Sequence, residues 1–477
     1  MAKRKPKQTD STKSFLRGIE GLFEVLVFSV IYYFIWRNGY DSGLFPAYLG
    51  YGKYILTGIY ALLVLMFMFY FDGFKIGYLR LSEVLISQTI AIFLADFITY
   101  WQLCLIANVV ISVIPMLVLL VVNVLVSFFL TYIFSVIYHK IYAPENIAMV
   151  FGNDDAVTLK LKMDVRCDKY RITKLISASE GLELICRKIK DYDAVVINDI
   201  PAQLRNDILK YCYKNGIRAY IAPKLSDIMI RGSKEINLFD TPLFVNEGLG
   251  LTPPQRAIKR FFDIVISALA IIITSPIMGI VALAIKIEDG GPVLFRQKRE
   301  TINGRVFEIL KFRSMVVDAE KSGVSIPATE CDPRITKVGR ITRPARLDEL
   351  PQLFNIFMGD MSIVGPRPER VEHMEKYSRE IPEFSLRLKV KSGLTGYAQI
   401  YGKYNTSPYD KLRLDLLYIE KYSFWLDIKL ILITVRVLLK KDSTEGFDKI
   451  EEMERLKEEA LQELEEEKAA GEVRDSE

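Results

Sequence analysis

From Phe97 to His139 the chain runs for 43 residues without a single Asp, Glu, Lys or Arg. A helix rises about 1.5 Å per residue and a bilayer's hydrocarbon core is about 30 Å thick, so one crossing needs about 20 residues. The stretch is twice too long for one crossing. We expect two helices to share it, one from about Glu83 to Ile106 and one ending at Tyr138, joined by a turn near Asn108 to Pro115. Two more apolar segments precede them. Gly21 to Trp36 follows a basic leader containing Lys3, Arg4, Lys5, Lys7, Lys13 and Arg17, and Tyr54 to Phe71 is uncharged. The basic leader places residues 1–19 in the cytoplasm, and four spans over 20–140 return the chain there at Lys140. Asp96 falls inside the third span, with two readings of equal weight: a functional intramembrane carboxylate, or an interior hydrogen-bonded group near Thr99.

Beyond residue 140 the 477-residue chain is more polar, with one further long uncharged segment. Mean hydropathy is +0.18 although 25% of residues are charged, so the apolar residues are segregated. The net charge of +5 hides an acidic end: residues 440–477 hold 15 acids and 7 bases, leaving +13 for everything before them. A basic, apolar body suits anionic headgroups and phosphorylated substrates. No RNA-recognition pattern and no basic zipper occur, which argues against nucleic acid. The five cysteines are scattered, with no Cys-x-x-Cys pair, and the only histidines are His139 and His373. Disulfide frameworks and histidine metal clusters are thereby disfavoured, and a divalent cation would take oxygen ligands.

Residues 141–248 alternate short apolar runs (147–151, 194–197, 219–222) with amphipathic stretches, including an expected helix over 202–215 capped by Gly216. This is the rhythm of a Rossmann-like α/β module. Its nucleotide fingerprint is missing: Gly152 is followed by Asn153, Asp154 and Asp155, so a structural or regulatory role is expected and a membrane oxidoreductase is disfavoured. Ile264 to Ile285 is again uncharged. Arg256, Lys259 and Arg260 lie before it and Lys286, Arg296, Lys298 and Arg299 after it, so both flanks belong on the cytoplasmic side. Ser275 and Pro276 sit at its centre, where proline removes a backbone donor. We therefore expect a re-entrant helix over 257–288 that breaks at Pro276.

Beyond this segment come Phe295-Arg296-Gln297-Lys298-Arg299, Lys311-Phe312-Arg313-Ser314-Met315, Asp332-Pro333-Arg334-Ile335-Thr336, Arg343 through Asp348-Glu349-Leu350-Pro351-Gln352, Gly365-Pro366-Arg367-Pro368 and Gly393-Leu394-Thr395-Gly396. Adjacent carboxylates among lysines and arginines suit phosphoryl chemistry: cations neutralise phosphate oxygens, one carboxylate can hold Mg²⁺ and another can attack phosphorus. In this order and directly after a re-entrant segment, the motifs closely resemble the bacterial sugar transferase family, the monotopic phosphoglycosyl transferases. The resemblance covers about residues 254–440.

The resemblance implies a mixed α/β monotopic catalytic domain over 249–440, behind a membrane α-helical bundle and the α/β module, in the bacterial inner membrane and facing the cytoplasm. It implies transfer of a phosphosugar from a nucleotide diphosphate sugar, expected to be a UDP-sugar, to polyprenyl phosphate with release of UMP. This is the first membrane step of exopolysaccharide, capsule or O-antigen synthesis. By position it makes Asp348 the nucleophile of an aspartyl phosphosugar intermediate and Glu349 the Mg²⁺ ligand. Lys311, Arg313, Arg334, Arg343, Arg367 and Pro368 become substrate-binding positions, and Ser275 and Pro276 the membrane bend. Thr301 and Ser392 depart from the family's usual glycine and proline. The rival reading is a non-catalytic membrane scaffold for a polysaccharide assembly line, which would not need the Asp348-Glu349 pair. Residues 441–477 read as an acidic, partly amphipathic helical tail that is solvated or pairs with another copy. Asn405-Thr406-Ser407 matches a glycosylation acceptor by chance, given a cytoplasmic location.

Overall fold

The computed structural model describes residues 10–40, 51–153, 155–248, 250–317, 332–402 and 406–438. The basic residues before Asp10, Asn405 of the glycosylation motif, and the tail beyond 440 lie outside them. The chain divides into two compact units, Met1–Ala222 and Pro223–Glu477.

The first unit opens with four long helices, α1 (Asp10–Gly39), α2 (Gly52–Tyr70), α3 (Leu81–Ala107) and α4 (Ile114–Ile141), each packed on its sequence neighbour, with α1 also against α4. All four are long and apolar enough to cross a membrane. The 43-residue uncharged stretch breaks near its expected turn. Asn108 takes a left-handed conformation (φ 52°) and donates to the carbonyls of Cys104 and Leu105, while Pro115 pre-sets the first turn of α4. These helices are apolar on both faces: Tyr60, Ile92, Leu103 and Leu119 are buried inside, while Leu62, Phe69, Leu105 and Leu125 are exposed. Asp96 is an interior group: Tyr60 Oη donates to its Oδ1 at 2.8 Å and itself accepts from Asn123 Nδ2 at 2.8 Å.

The same unit continues as β1 (Glu145–Phe151), α5 (Asp155–Asp164), β2 (Tyr170–Ser177), α6 (Leu182–Ile189), β3 (Ala194–Asn198), α7 (Ala202–Asn215) and β4 (Arg218–Ile221). The four strands form a parallel sheet in the order β2-β1-β3-β4. Gly216 closes α7 in the left-handed conformation. Gly152 has a packing reason to be glycine, since a Cβ there would lie 2.2 Å from the Asp199 carbonyl oxygen.

The second unit begins with α8 (Leu225–Arg231), whose Leu225 and Ile228 enter this unit's core, followed by the hairpin β5 (Lys234–Leu238) and β6 (Thr241–Val245). The parallel sheet thus ends at Ile221, and residues 223–248 belong to the second unit. Then come α9 (Pro253–Asp289), the hairpin β7 (Leu294–Glu300) and β8 (Val306–Phe312), α10 (Lys337–Thr342), α11 (Gln352–Met358), β9 (Ser362–Val364), α12 (Val371–Glu380), β10 (Gly393–Thr395), α13 (Tyr397–Tyr401), α14 (Pro408–Glu420) and α15 (Phe424–Leu438). Ile356, Val364, Phe384, Leu412 and Leu430 fill the core between them.

Helix α9 corrects one expectation: it runs unbroken through Pro276. Proline leaves the carbonyl four residues back without its donor, and that carbonyl, Ile272 O, accepts from the Ser275 hydroxyl at 2.8 Å instead. Both ends of α9 are fastened to this same unit. Near its start, Lys259 Nζ lies 2.5 Å from Asp427 Oδ2, Arg260 donates to the Ile356 and Phe357 carbonyls at 2.7 and 2.8 Å, and Asp263 accepts from Ser362 Oγ and Ile363 N. At its end, Asp289 pairs with Arg313, and Glu288 accepts from Lys337 N and Val338 N at the start of α10. Between these moorings Leu269, Ile272, Ile273, Ile280 and Leu283 are exposed.

Candidate active site

The candidate catalytic pair sits on a single 3₁₀ turn, Leu347–Glu349, and the local sequence explains the presentation. Thr336 caps α10 by accepting from Gly339 N at 3.0 Å. Gly339 lets the helix lie against the chain leaving β8, since a Cβ would fall 2.1 Å from Ser314 O. Arg346 then adopts a left-handed conformation (φ 52°) that non-glycine residues rarely take. The chain reverses there and displays Asp348 and Glu349 before Pro351 leads into α11. Asn355 of α11 locks this piece onto β8: it accepts from Leu310 N at 2.9 Å and donates to Glu308 O at 2.8 Å. Lys311, the next residue on that strand, is thereby aimed at the pair.

Glu349 is the centre of a cationic cluster. Its Oε1 lies 3.1 Å from Lys311 Nζ and 3.0 Å from Arg367 Nη2, and its Oε2 lies 3.9 Å from Arg346 Nη1. Burial would raise its pKa, but Arg367, Lys311 and Arg346 overcome this and hold the carboxyl well below its ordinary range. Burial in turn pulls the Lys311 ammonium down despite Glu349. Asp348 behaves differently. Burial pushes it up to about 6, with the neighbouring Glu349 charge adding to the rise while Lys311 and Arg343 oppose it. Among the described residues no side chain donates a hydrogen bond to its carboxyl. One turn therefore carries a carboxylate fixed by three cations beside one that, among the described residues, takes no side-chain donor.

Of the positions singled out from the sequence, Lys311, Arg367 and Arg343 are brought to the pair, Arg343 through its field on Asp348. Arg313 is not. It is 7% exposed, and it donates to Pro292 O at 2.7 Å and to both Asp289 oxygens, so it fastens the end of α9 instead of facing the turn. Arg334 forms a bidentate pair with the buried Asp332, Nη2 to Oδ2 being 2.6 Å. The Pro368 carbonyl accepts from Arg299 at 3.1 Å, which ties the Gly-Pro-Arg-Pro loop to β7. Sequence reasoning passed over Arg346, Asn355 and Arg387. Arg387 donates to the Arg367 carbonyl at 2.9 Å and to Asp415, so it positions Arg367 from behind. Only Arg346 left a local signal, three residues before Glu349.

The two glycine motifs are one structure. Strands β9 and β10 run parallel, and a Cβ on Gly393 would lie 2.1 Å from Gly365 N, so the backbones meet too closely for side chains. The two departures from the family pattern also meet. Ser392 N donates to Thr301 Oγ1 at 3.1 Å, Thr301 Oγ1 donates to Asp360 O at 3.1 Å, and Ser392 Oγ donates to Glu300 O at 2.9 Å.

As for a metal, the described residues contain no group of three His, Cys, Asp or Glu side chains fit to hold one. The two carboxylates of the turn offer hard oxygen ligands only. That donor set suits Mg²⁺, which takes one or two carboxylates and completes its shell with water and substrate phosphates.

A family profile described as bacterial sugar transferase matches residues 254–441. The chain is 40% identical over 248 residues to a UDP-glucose:undecaprenyl-phosphate glucose-1-phosphate transferase of Klebsiella pneumoniae, covering 51% of each. It is 37% identical over 259 residues to the UDP-N-acetylgalactosamine-undecaprenyl-phosphate N-acetylgalactosaminephosphotransferase of Aeromonas hydrophila, covering 52% of this chain and 59% of that protein. A UDP-glucose:undecaprenyl-phosphate glucose-1-phosphate transferase of Caulobacter vibrioides is 44% identical over 190 residues, which are 39% of this chain and 71% of the relative. The chain thus spans about half the length of the first two relatives and most of the third. Motif order, site geometry and these matches agree, and the chain belongs to the bacterial sugar transferase family.

Proposed function

We propose that the chain is a phosphoglycosyl transferase that moves a phosphosugar from a nucleotide diphosphate sugar, a UDP-sugar by analogy with the relatives' names, to polyprenyl phosphate. The observation that carries this reading is the division of labour on one turn: Asp348 without a side-chain donor among the described residues, Glu349 clamped by Lys311, Arg346 and Arg367. An Asp348 carboxylate oxygen attacks the phosphorus bearing the sugar. The bond from that phosphorus to the nucleoside monophosphate oxygen breaks, and UMP leaves. An oxygen of polyprenyl phosphate then attacks the same phosphorus and the aspartyl oxygen–phosphorus bond breaks, giving polyprenyl diphosphate sugar and restoring the carboxylate. Lys311, Arg343 and Arg367 neutralise the phosphate oxygens as charge builds on them. Glu349, with Asp348 beside it, would hold Mg²⁺, which supplies Lewis-acid polarisation of the diphosphate when bound.

This chemistry needs the turn on the cytoplasmic face, close to the headgroups. We infer four spans, α1 to α4, and a re-entrant α9, in the inner membrane. Fastening of both α9 ends to one unit supports the re-entrant reading, because a full crossing would separate Arg260 from Asp289 by the bilayer. UMP release from the purified protein, given a panel of UDP-sugars with polyprenyl phosphate, tests the reaction, and a sugar-labelled donor should leave a covalent adduct on the peptide containing Asp348. No release with any donor would sink the assignment, and release without an adduct under trapping conditions would sink the covalent route. Topology is tested by single cysteines at Arg256 and Lys286, both exposed, in a background without the native five. Labelling of either by an impermeant thiol reagent in intact cells would refute the re-entrant reading.

A further inference from the structure

The first unit contains a cavity of about 290 Å³ where one end of the helical bundle meets the edge of the sheet at which the strands start. It is remote in sequence from the catalytic turn and unused by the chemistry above. Four cations line it, Lys13, Arg17, Lys169 and Arg218, against two carboxylates, Glu145 and Asp168. Both acids are already committed. Glu145 Oε1 lies 3.0 Å from Lys13 Nζ and also pairs with Arg218, while its Oε2 accepts from Tyr220 Oη at 2.8 Å. Asp168 is held by Arg166 in two hydrogen bonds of 2.9 and 3.0 Å.

Two cations are left over. Among the described residues the Arg17 side chain donates to Lys13 O and Ser14 Oγ and has no carboxylate within ion-pair distance, Glu20 acting on it only through its field. Among the described residues no carboxylate lies within ion-pair distance of Lys169, whose ammonium rests instead on the Tyr78 ring, 3.5 Å from its centroid, and near the Tyr170 ring at 4.9 Å. Burial, then the Arg166 charge, lower the Lys169 pKa to about 8, with Glu145 opposing the fall. We propose that this cavity binds a phosphate monoester or free phosphate, with Lys169 and Arg17 as its ligands and the Glu145-paired Lys13 and Arg218 as its rim. The charge matches: the lining carries a surplus of two, and a phosphomonoester carries about −1.5 to −2 at neutral pH. The size also fits, since the cavity holds about ten times the ~30 Å³ that one water occupies in the liquid. Such a ligand reaches the site either as the headgroup of a membrane lipid or as a soluble anion.

Acylation of Lys169 by an amine-reactive ester, followed peptide by peptide, reads the site directly in the full-length protein, with the exposed Lys214 of α7 as internal reference. Two arms distinguish the sources: inorganic phosphate added to nanodiscs of zwitterionic lipid, and nanodiscs containing phosphatidic acid with no added phosphate. Either ligand near saturation should slow Lys169 relative to Lys214 by about fivefold or more, as protection by occupancy requires. Protection by phosphate identifies a soluble anion, and protection by phosphatidic acid alone identifies a headgroup. Arg17→Gln should raise the half-protecting concentration by about tenfold, the loss of one charge-assisted hydrogen bond. If Lys169 is unreactive throughout, the wild-type melting midpoint with and without each ligand decides instead. The proposal is overturned if neither ligand protects Lys169 or raises the midpoint, and the role of Arg17 if its substitution leaves protection unchanged. None of these outcomes depends on Asp348 being a nucleophile.

Discussion

Arg387→Met should be among the most damaging substitutions in the second unit, although the residue touches neither carboxylate of the candidate turn. Arg387 is 2% exposed, and its guanidinium serves three acceptors: Asp415 Oδ2 at 2.7 Å, Glu369 Oε1 at 3.7 Å and the Arg367 carbonyl at 2.9 Å. Glu369 keeps Lys411 at 3.6 Å, but Asp415, itself 1% exposed, loses the arginine it pairs with, and among the described residues its Oδ1 already lacks a partner. Removing one member of a buried ion pair costs about 3–5 kcal/mol. At about 2–4 °C per kcal/mol for a domain of this size, the apparent midpoint should fall by about 6–20 °C. The sign of the pH dependence follows from Asp415. Burial, outweighing Arg387, raises its pKa from 3.8 to about 6. The folded protein therefore holds this proton more tightly than the unfolded chain, and stability from it is lost as pH rises through the folded value. Without Arg387 that value moves higher still, so the gap between variant and wild type should be widest near pH 8 and should shrink as pH falls toward 5. Arg387→Met combined with Asp415→Leu should recover most of the loss, because an apolar pair can replace a buried ion pair at little cost. Thermal unfolding across pH in one detergent is the measurement. A single variant within about 1 kcal/mol of wild type, a gap that ignores pH, or a double variant no better than the single would each refute the reasoning.

Glu349→Gln should cut UMP release by about 100-fold and flatten its response to added Mg²⁺; a normal Mg²⁺ titration would remove Glu349 from the metal. Asn355→Leu leaves Leu310 N and Glu308 O without their partner and should cost about 2–4 kcal/mol, with activity falling further than the folded fraction as the turn drifts from Lys311; stability within about 0.5 kcal/mol of wild type, on the scale of one net hydrogen bond, would show the lock to be idle. Thr301→Gly and Ser392→Pro should each destabilise by about 1 kcal/mol, yet the double variant should be less damaged than the sum, since proline has no N–H left to satisfy. A strictly additive double-mutant cycle would contradict that coupling.

Sequence patterns disclosed what depends on local periodicity. An uncharged run must break where its length exceeds one crossing, and the break came at Asn108 and Pro115, residues with a backbone reason to be there. Helix α7 was legible for the same reason, with Gly216 to stop it. Strand β2 left no such pattern, because Arg171, Thr173 and Lys174 break its apolar residues into short pieces with neither a run nor a period of two. Residues 223–248 resembled the preceding α/β rhythm, and only the burial of Leu225 and Ile228 in another core reveals where they belong. At the site, motif order marked Lys311, Asp348, Glu349 and Arg367. It did not separate arginines aimed at the turn from those spent elsewhere, because Arg313 meets Asp289 across 24 residues and Arg387 meets Asp415 across 28. Proline at position 276 suggested a broken helix because its lost donor was visible in the sequence, whereas the hydroxyl that replaces it needed coordinates to be seen.

The double fastening of α9 sets a height. On the re-entrant reading, the length of helix between Asp263 and Asp289 decides how deep its apolar middle can sink, and the clamps at either end transmit that depth to the turn bearing Asp348 without slack. The unit then floats like a hull with a fixed draught: its reactive oxygens ride at one level above the acyl chains, whatever lies beneath. Acceptors would be chosen by where their phosphate stands, with the far end of a long isoprenoid tail left unread.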